Sequence, residues 1–288
     1  MADYPDKLQP VIAELLPLCR VLGEGKRAVS IGGSYGKGTF DGNSDLDFRL
    51  FCERKLEPPE AFEEAYARVQ AAIDRWAEKG VTIDGCWVRT TGPIDETLDA
   101  WIDGQGQPDD IVWTIWGYYL LTDVYNQFVI DDPDGILSGW RTKLDVYPPK
   151  MKLAILERHL KSIRYWRDDY HYRHKVERGD VVFLAGLTSK LIHDLIQILF
   201  ALNETYYPGD GNNLEFVADF ELAPEGFGDK VKAILYPSVD GERTGGAARQ
   251  AQYDRLMALI DEVEEIAAKA PLDKLREVTM IFPSGDYG

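Results

Sequence analysis

Residues 28 to 51 read AVSIGGSYGKGTFDGNSDLDFRLF. Ala28-Val29-Ser30-Ile31 is a short apolar run, and Leu46-Asp47-Phe48-Arg49-Leu50-Phe51 alternates apolar with charged residues, so the segment reads as two strands joined by a glycine-rich turn. Every second side chain of a strand shares a face, so Asp45, Asp47 and Arg49 point one way while Leu46, Phe48 and Leu50 point into a core. Two carboxylates side by side need a cation or protons to offset their repulsion, and their oxygens are hard ligands suited to Mg²⁺. At the other end, Gly32-Gly33-Ser34 offers closely approachable backbone, N–H groups and a hydroxyl, which suits phosphate. Lys37 and Arg49 are the nearest cations; each either neutralises a phosphate, or is a surface charge or a balance for the aspartates.

Around this segment the periodicity is that of a small mixed sheet with helices packed on one face. Residues 7–23 place Leu8, Val11, Ile12, Leu15, Leu16, Cys19 and Leu22 at helical spacing, and residues 60–79 do the same with Phe62, Ala65, Val69, Ile73 and Trp76. A further strand is expected over 81–88. After Pro148-Pro149 the pattern turns helical: helices are expected over 150–170, 181–203 and 247–269, with a long loop over 204–228. The second of these is apolar almost all round, so it belongs at the centre of a bundle. The expected architecture is α+β over residues 1–147, followed by an all-α helical domain over 148–288.

At 288 residues, with 45% hydrophobic and 28% charged side chains, the chain can bury two ordinary cores. The N-terminus lacks a basic n-region followed by an apolar h-region, and no run reads as a membrane span, so a cytoplasmic protein is expected. Cys19, Cys52 and Cys86 are an odd, widely spaced set that reads as reduced core residues. The net charge of −17 argues against a long nucleic-acid partner. Thr90 to Trp140 contains no Lys, Arg or His but ten acids: Asp95, Glu96, Asp99, Asp103, Asp109, Asp110, Asp123, Asp131, Asp132 and Asp134. Such a stretch is either an acidic wall that concentrates a cationic ligand or a solvated face that keeps the chain soluble.

Gly33-Ser34, ten residues, then Asp45-x-Asp47 on a strand resembles the signature of the nucleotidyltransferase superfamily related to DNA polymerase beta. The resemblance implies a Mg²⁺-dependent transfer of a nucleoside monophosphate, AMP from ATP being the expected case, to an acceptor hydroxyl. It implies Asp45, Asp47 and a later strand carboxylate, here Asp84, as ligands of two metal ions, with Gly32, Gly33, Ser34, Lys37, Ser44 and Arg49 around the nucleotide. The two-domain plan is similar to that of antibiotic adenylyltransferases of the aminoglycoside and streptomycin type, and so is the stretch Leu199 to Pro208. In that group a helical domain closes over the nucleotide and supplies a carboxylate base and a basic phosphate contact. Asp194 and Lys190 would fill those roles, on a polar stripe with His193 and Gln197 that faces the cleft between the domains. A purely structural Lys190–Asp194 ion pair fits the spacing equally well. Either Asp84 or Asp194 would take the hydroxyl proton. Tyr206 and Tyr207 either stack on a base or pack their loop.

A small cationic acceptor fits the acidic segment. A protein or tRNA acceptor, and a vestigial nucleotide-binding regulator, are the other readings. Residues 167–174 (RDDYHYRH) resemble the Arg and His spacing of helical ribonuclease partners of such enzymes, though a charged helix end explains them better.

Overall fold

The computed structural model describes residues 8–106, 118–209, 213–236 and 245–270. They fall into two compact units, one of Met1–Ala100 with Leu120–Val146 and one of Trp101–Tyr119 with Tyr147–Gly288.

The first unit begins with α1 (Gln9–Arg20), which carries Pro10 in its first turn, where a missing N–H costs nothing, and buries Val11, Leu15 and Cys19. There follow β1 (Gly23–Ile31), the short α2 (Gly33–Lys37), β2 (Leu46–Lys55), α3 (Pro59–Ala77), β3 (Ile83–Thr90), α4 (Thr91–Ile102), α5 (Tyr119–Tyr125), β4 (Phe128–Asp131) and α6 (Ile136–Leu144). The sheet order is β3-β2-β1-β4, with β1 antiparallel to β2 and to β4 and β2 parallel to β3.

Register assigns the two faces. Val29, Ile31, Leu46, Phe48, Leu50, Cys52, Ile83 and Cys86 form a single core with α1 and α3 residues such as Val11, Leu15, Val69 and Ile73. Ile31, Phe48 and Leu50 are fully buried, each stabilising the fold by roughly 1.5–3 kcal/mol relative to exposure. The opposite face carries Ser30, Arg49 and Trp87 in one register row, with Asp47 and Arg89 to either side. Phe51 lies on this second face and meets Trp140 of α6 edge-on at 5.1 Å.

In the second unit, α7 (Pro149–Asp168), α8 (Tyr170–Arg178), α9 (Val181–Leu202), α10 (Asn213–Ala218), α11 (Phe227–Leu235) and α12 (Gly246–Lys269) pack around α9. Leu191, Leu195, Ile198, Leu199 and Ala201 are fully buried, while Val181 and Val182 at its start are exposed.

The fold is thus α+β followed by helices, and the three cysteines are free and buried, as expected. Several expectations need correction. The 204–228 stretch is not one loop: α10 and the start of α11 lie in it, built on Val217 and on Phe227, Val231 and Ile234 at helical spacing, between the glycines and prolines that hid them. The basic end at 167–174 contains a break and a new helix, because Asp169 is extended and caps α8 by accepting from the His171 N–H at 2.8 Å. The expected boundary at 147/148 lies one residue from the observed one. However, residues 101–106 and 118–119 belong to the second unit, where Trp101 meets Tyr118 at 4.6 Å and Asp103 pairs with Lys150 at 3.0 Å. Among the described residues one helix, Val181–Leu202, is long and apolar enough to cross a membrane by length and composition, contrary to the sequence reading; most of it is core of the second unit.

Candidate functional site

The Gly32–Lys37 turn is built against β2. The Gly32 N–H donates to the Asp47 carbonyl at 2.9 Å, and the Gly36 N–H returns to the Gly32 carbonyl at 3.0 Å. Gly33 has φ +57, and a Cβ there would overlap the Asp47 carboxylate; a Cβ on Gly32 would overlap the Arg49 guanidinium. The two parts of the motif, ten residues apart in sequence, therefore share one surface.

Asp47 is half-buried. Its pKa is raised above the usual carboxylate value, first by burial and then by the negative fields of Asp45, Asp84 and Asp123, against the opposing pull of Arg49. These acids share one neighbourhood. Asp84 enters it through a register irregularity: Leu46 pairs with Ile83 but Asp47 with Gly85, so Asp84 is an extra residue in β3. It is exposed and accepts from the Trp87 indole N–H at 3.2 Å. Among the described residues no three His, Cys, Asp or Glu side chains already converge as a metal-ligand set. The donor chemistry of Asp45, Asp47 and Asp84 nevertheless suits Mg²⁺: hard oxygens whose mutual repulsion a cation relieves.

The nucleotide-binding expectations divide. Gly33 and Ser34 lie in the turn beside Asp47. Lys37 closes α2 and is partly buried. Ser44 is used locally, accepting from the Asp41 N–H at 2.9 Å and donating to the Asp41 carboxylate at 3.0 Å, so its hydroxyl builds the turn before β2. Arg49 is ion-paired with Asp123 of α5, yet its Nε, buried beside Gly32, has no hydrogen-bond partner among the described residues.

Asp123 is the residue that sequence reasoning missed. Its 8% exposure hides a hub: it binds both Arg49 and Arg89, the latter at 3.1 Å, and Gln127 bonds it while accepting from the Ser30 hydroxyl at 2.7 Å. The available signal was a lone carboxylate in the apolar helical run Leu120-Leu121-Thr122-Asp123-Val124, where burial demands a cation.

The wall reading of the acidic segment is weakened in the same way. Asp95 accepts from the Trp140 indole, Asp99 pairs with Lys143, Asp103 with Lys150 and Asp131 with Arg20. Asp132 receives the Ile136 and Ser138 N–H groups, and Asp134 that of Arg27. Most of the described acids of the segment thus have a structural partner, although Asp95, Asp99 and Asp103 keep much of their surface in water. Asp109 and Asp110 lie outside the described residues.

In the second unit, Lys190 and Asp194 form an ion pair at 2.6 Å. Asp194 is 3% exposed, and both its oxygens are engaged: Oδ1 with His159 Nδ1 at 2.8 Å, Oδ2 with Lys190 and with the Ser162 hydroxyl at 2.7 Å. His159 Nε2 in turn meets the Tyr118 hydroxyl at 3.1 Å. Burial opposes ionisation of Asp194, but the His159 hydrogen bond and the Lys190 charge outweigh it, and its pKa lies below the usual value. His193 is partly buried, its pKa pulled down to about 4 by desolvation and by His159. Tyr207 is buried against His193 and Phe200, and Tyr206 stacks on Tyr147, so both pack their loop.

A four-stranded mixed sheet with a Gly-Ser turn set against a strand carboxylate is the class that fold and site define. Residues 113–211 match a family model described as "Domain of unknown function (DUF4037)". No curated protein matches the chain. The matched stretch runs from before α5 to the end of α9 and beyond, and so takes in Asp123, Lys190 and Asp194 but not the Gly32–Asp47 turn.

Proposed function

We propose that the chain is a nucleotidyltransferase that moves a nucleoside monophosphate, AMP from ATP, onto a hydroxyl of a small cationic acceptor of the aminoglycoside type. The observation that carries this reading is the abutment of Gly33 on the Asp47 carboxylate, which brings a phosphate-accepting turn and an acidic cation site together. The unpartnered Arg49 Nε beside Gly32 is a further donor to an anion at that turn.

In this reading Gly33 and Ser34 hold the β- and γ-phosphates and leave the α-phosphate over Asp45 and Asp47. Asp45, Asp47 and Asp84 would hold Mg²⁺, which when bound offsets phosphate charge and acidifies the attacking hydroxyl. The acceptor oxygen bonds to the α-phosphorus as the bond from that phosphorus to the bridging oxygen breaks, and pyrophosphate leaves with the electron pair. The proton passes to a carboxylate, and Asp84 suits that role better than Asp194. Asp84 is exposed and lies in the neighbourhood of Asp47, whereas the oxygens of Asp194 are already engaged by three donors.

The test is pyrophosphate release from each nucleoside triphosphate with Mg²⁺, in the presence of an aminoglycoside panel, total tRNA or no acceptor. Release that requires an aminoglycoside is the expected result. Silence with the drugs and a signal with tRNA would move the reading to a macromolecular acceptor.

A further inference from the structure

We infer that Trp87 is the surface against which a ring of the acceptor packs; the inference rests on the transferase reading above. Trp87 is 54% exposed, the one tryptophan among the described residues that is so open. A large aromatic side chain with half its surface in water offers a flat apolar face that a ligand ring can cover. The ring is not loose: its indole N–H donates to Asp84 at 3.2 Å. Its register partner is Arg49, so it stands on the same face of the sheet as Asp47 and Arg89. The other exposed ring near the turn, Phe40, is stacked face to face on Tyr35 at 4.5 Å and is thereby already occupied.

Sheet order assigns Trp87 to the acceptor and not to the nucleotide. The phosphate turn follows β1, on one side of β2, and β3 lies on the other. In phosphoryl transfer the attacking and leaving oxygens lie roughly in line through the phosphorus. With pyrophosphate on the β1 side of Asp47, the attacking hydroxyl arrives from the β3 side, where Trp87 and Asp84 stand. A saturated sugar-like ring offers its C–H face to the indole, and its amino groups meet the negative field of the acids around Asp47.

The experiment uses the full chain with kanamycin, streptomycin and glucosamine as probes, in two independent readouts. In steady-state pyrophosphate release, Trp87→Ala should raise KM for the accepted aminosugar about tenfold, leave KM for ATP within about twofold, and be largely rescued by Trp87→Phe. In direct titration without nucleotide, the same aminosugar should quench a fluorescence component that Trp87→Phe removes. Turnover with an unchanged acceptor KM in Trp87→Ala, or a rise in KM for ATP alone, overturns the inference and leaves the transferase reading intact. Quenching that depends on Trp87 without any turnover supports the aminosugar site and removes the transferase. Absence of both signals overturns the aminosugar site at Trp87, and the tRNA arm of the pyrophosphate assay then decides whether the transferase survives with a macromolecular acceptor.

Discussion

Asp47, half-buried, and Asp194, fully buried, are both carboxylates with a cation nearby, yet their proton affinities move in opposite directions. The difference lies in what surrounds them. Asp194 receives His159, Ser162 and Lys190, so burial is more than offset and the group is held ionised. Asp47 has Arg49 as its offset, but Arg49 is drawn to Asp123, and three other acids add to the cost of its charge. A satisfied buried carboxylate is part of a scaffold. One whose charge is left under-compensated is a place where a cation can bind and gain from doing so.

The largest expected effect breaks the comparison on the side of activity. Asp47→Asn should lower pyrophosphate release by about 10³-fold or more, because a metal ligand is lost. It should not lower Tm at pH 7, because the replaced group is one whose charge the fold disfavours. The sign is fixed by linkage: a carboxylate with a raised folded-state pKa is destabilising when ionised, and that penalty grows as pH rises through the window between its unfolded and folded values. Thermal melts of the wild type and the variant at pH 7, beside the turnover assay, check both halves.

Asp194→Ala should do the reverse. Removing Asp194 leaves the buried His159 and the Ser162 hydroxyl without their acceptor and costs about 3 kcal/mol, readable as a lowered denaturant midpoint; Lys190, half in water, adds little. A variant of wild-type stability would place Asp194 with Asp47 and not with the scaffold. Asp123→Ala is the intermediate case: it leaves Arg49 and Arg89 without their shared carboxylate and should cost about 3 kcal/mol.

Smaller effects sharpen the contrast. Mg²⁺ at about ten times its Kd should stabilise the wild type by about 1.4 kcal/mol and leave Asp47→Asn unmoved, with EDTA reversing the shift. Asp194→Asn should keep the Mg²⁺ response. On the acid side, His193, faced by His159, Asp194 and Lys190, is held neutral with a pKa near 4, so its contribution is lost as pH falls from about 6.5 toward 4. His193→Gln should flatten that limb of the stability profile by about 1–2 kcal/mol after allowance for its partial exposure. An unchanged limb would assign the acid loss to other groups.

How much of this was legible follows from which interactions are local. The alternation of Leu46, Phe48 and Leu50 against Asp47 and Arg49 reported β2 and both its faces, because strand period and burial agree there. The helical spacing in α1, α3, α9 and α12 was equally plain. The register irregularity at Asp84 was not, since it depends on how β3 meets β2. Nor was β4, four residues inside an acidic stretch whose charges find partners as distant as Arg20 and Arg27. For the candidate site, Gly33, Ser34, Asp45 and Asp47 could be read from spacing. Asp123 could not, because its meaning lies in two arginines on other strands. Trp87 gave no sequence signal at all: an aromatic in a strand is ordinary until its exposure is known.

The closeness of Gly33 to Asp47 also supplies an experimental tool. A single methyl group at position 33 would have to push the carboxylate aside, so Gly33→Ala should silence the site without adding or removing a charge. That makes it an isoelectric control. Any partner or surface held by the overall acidity of the chain would still recognise it, and only what depends on the position of one carboxylate would be lost.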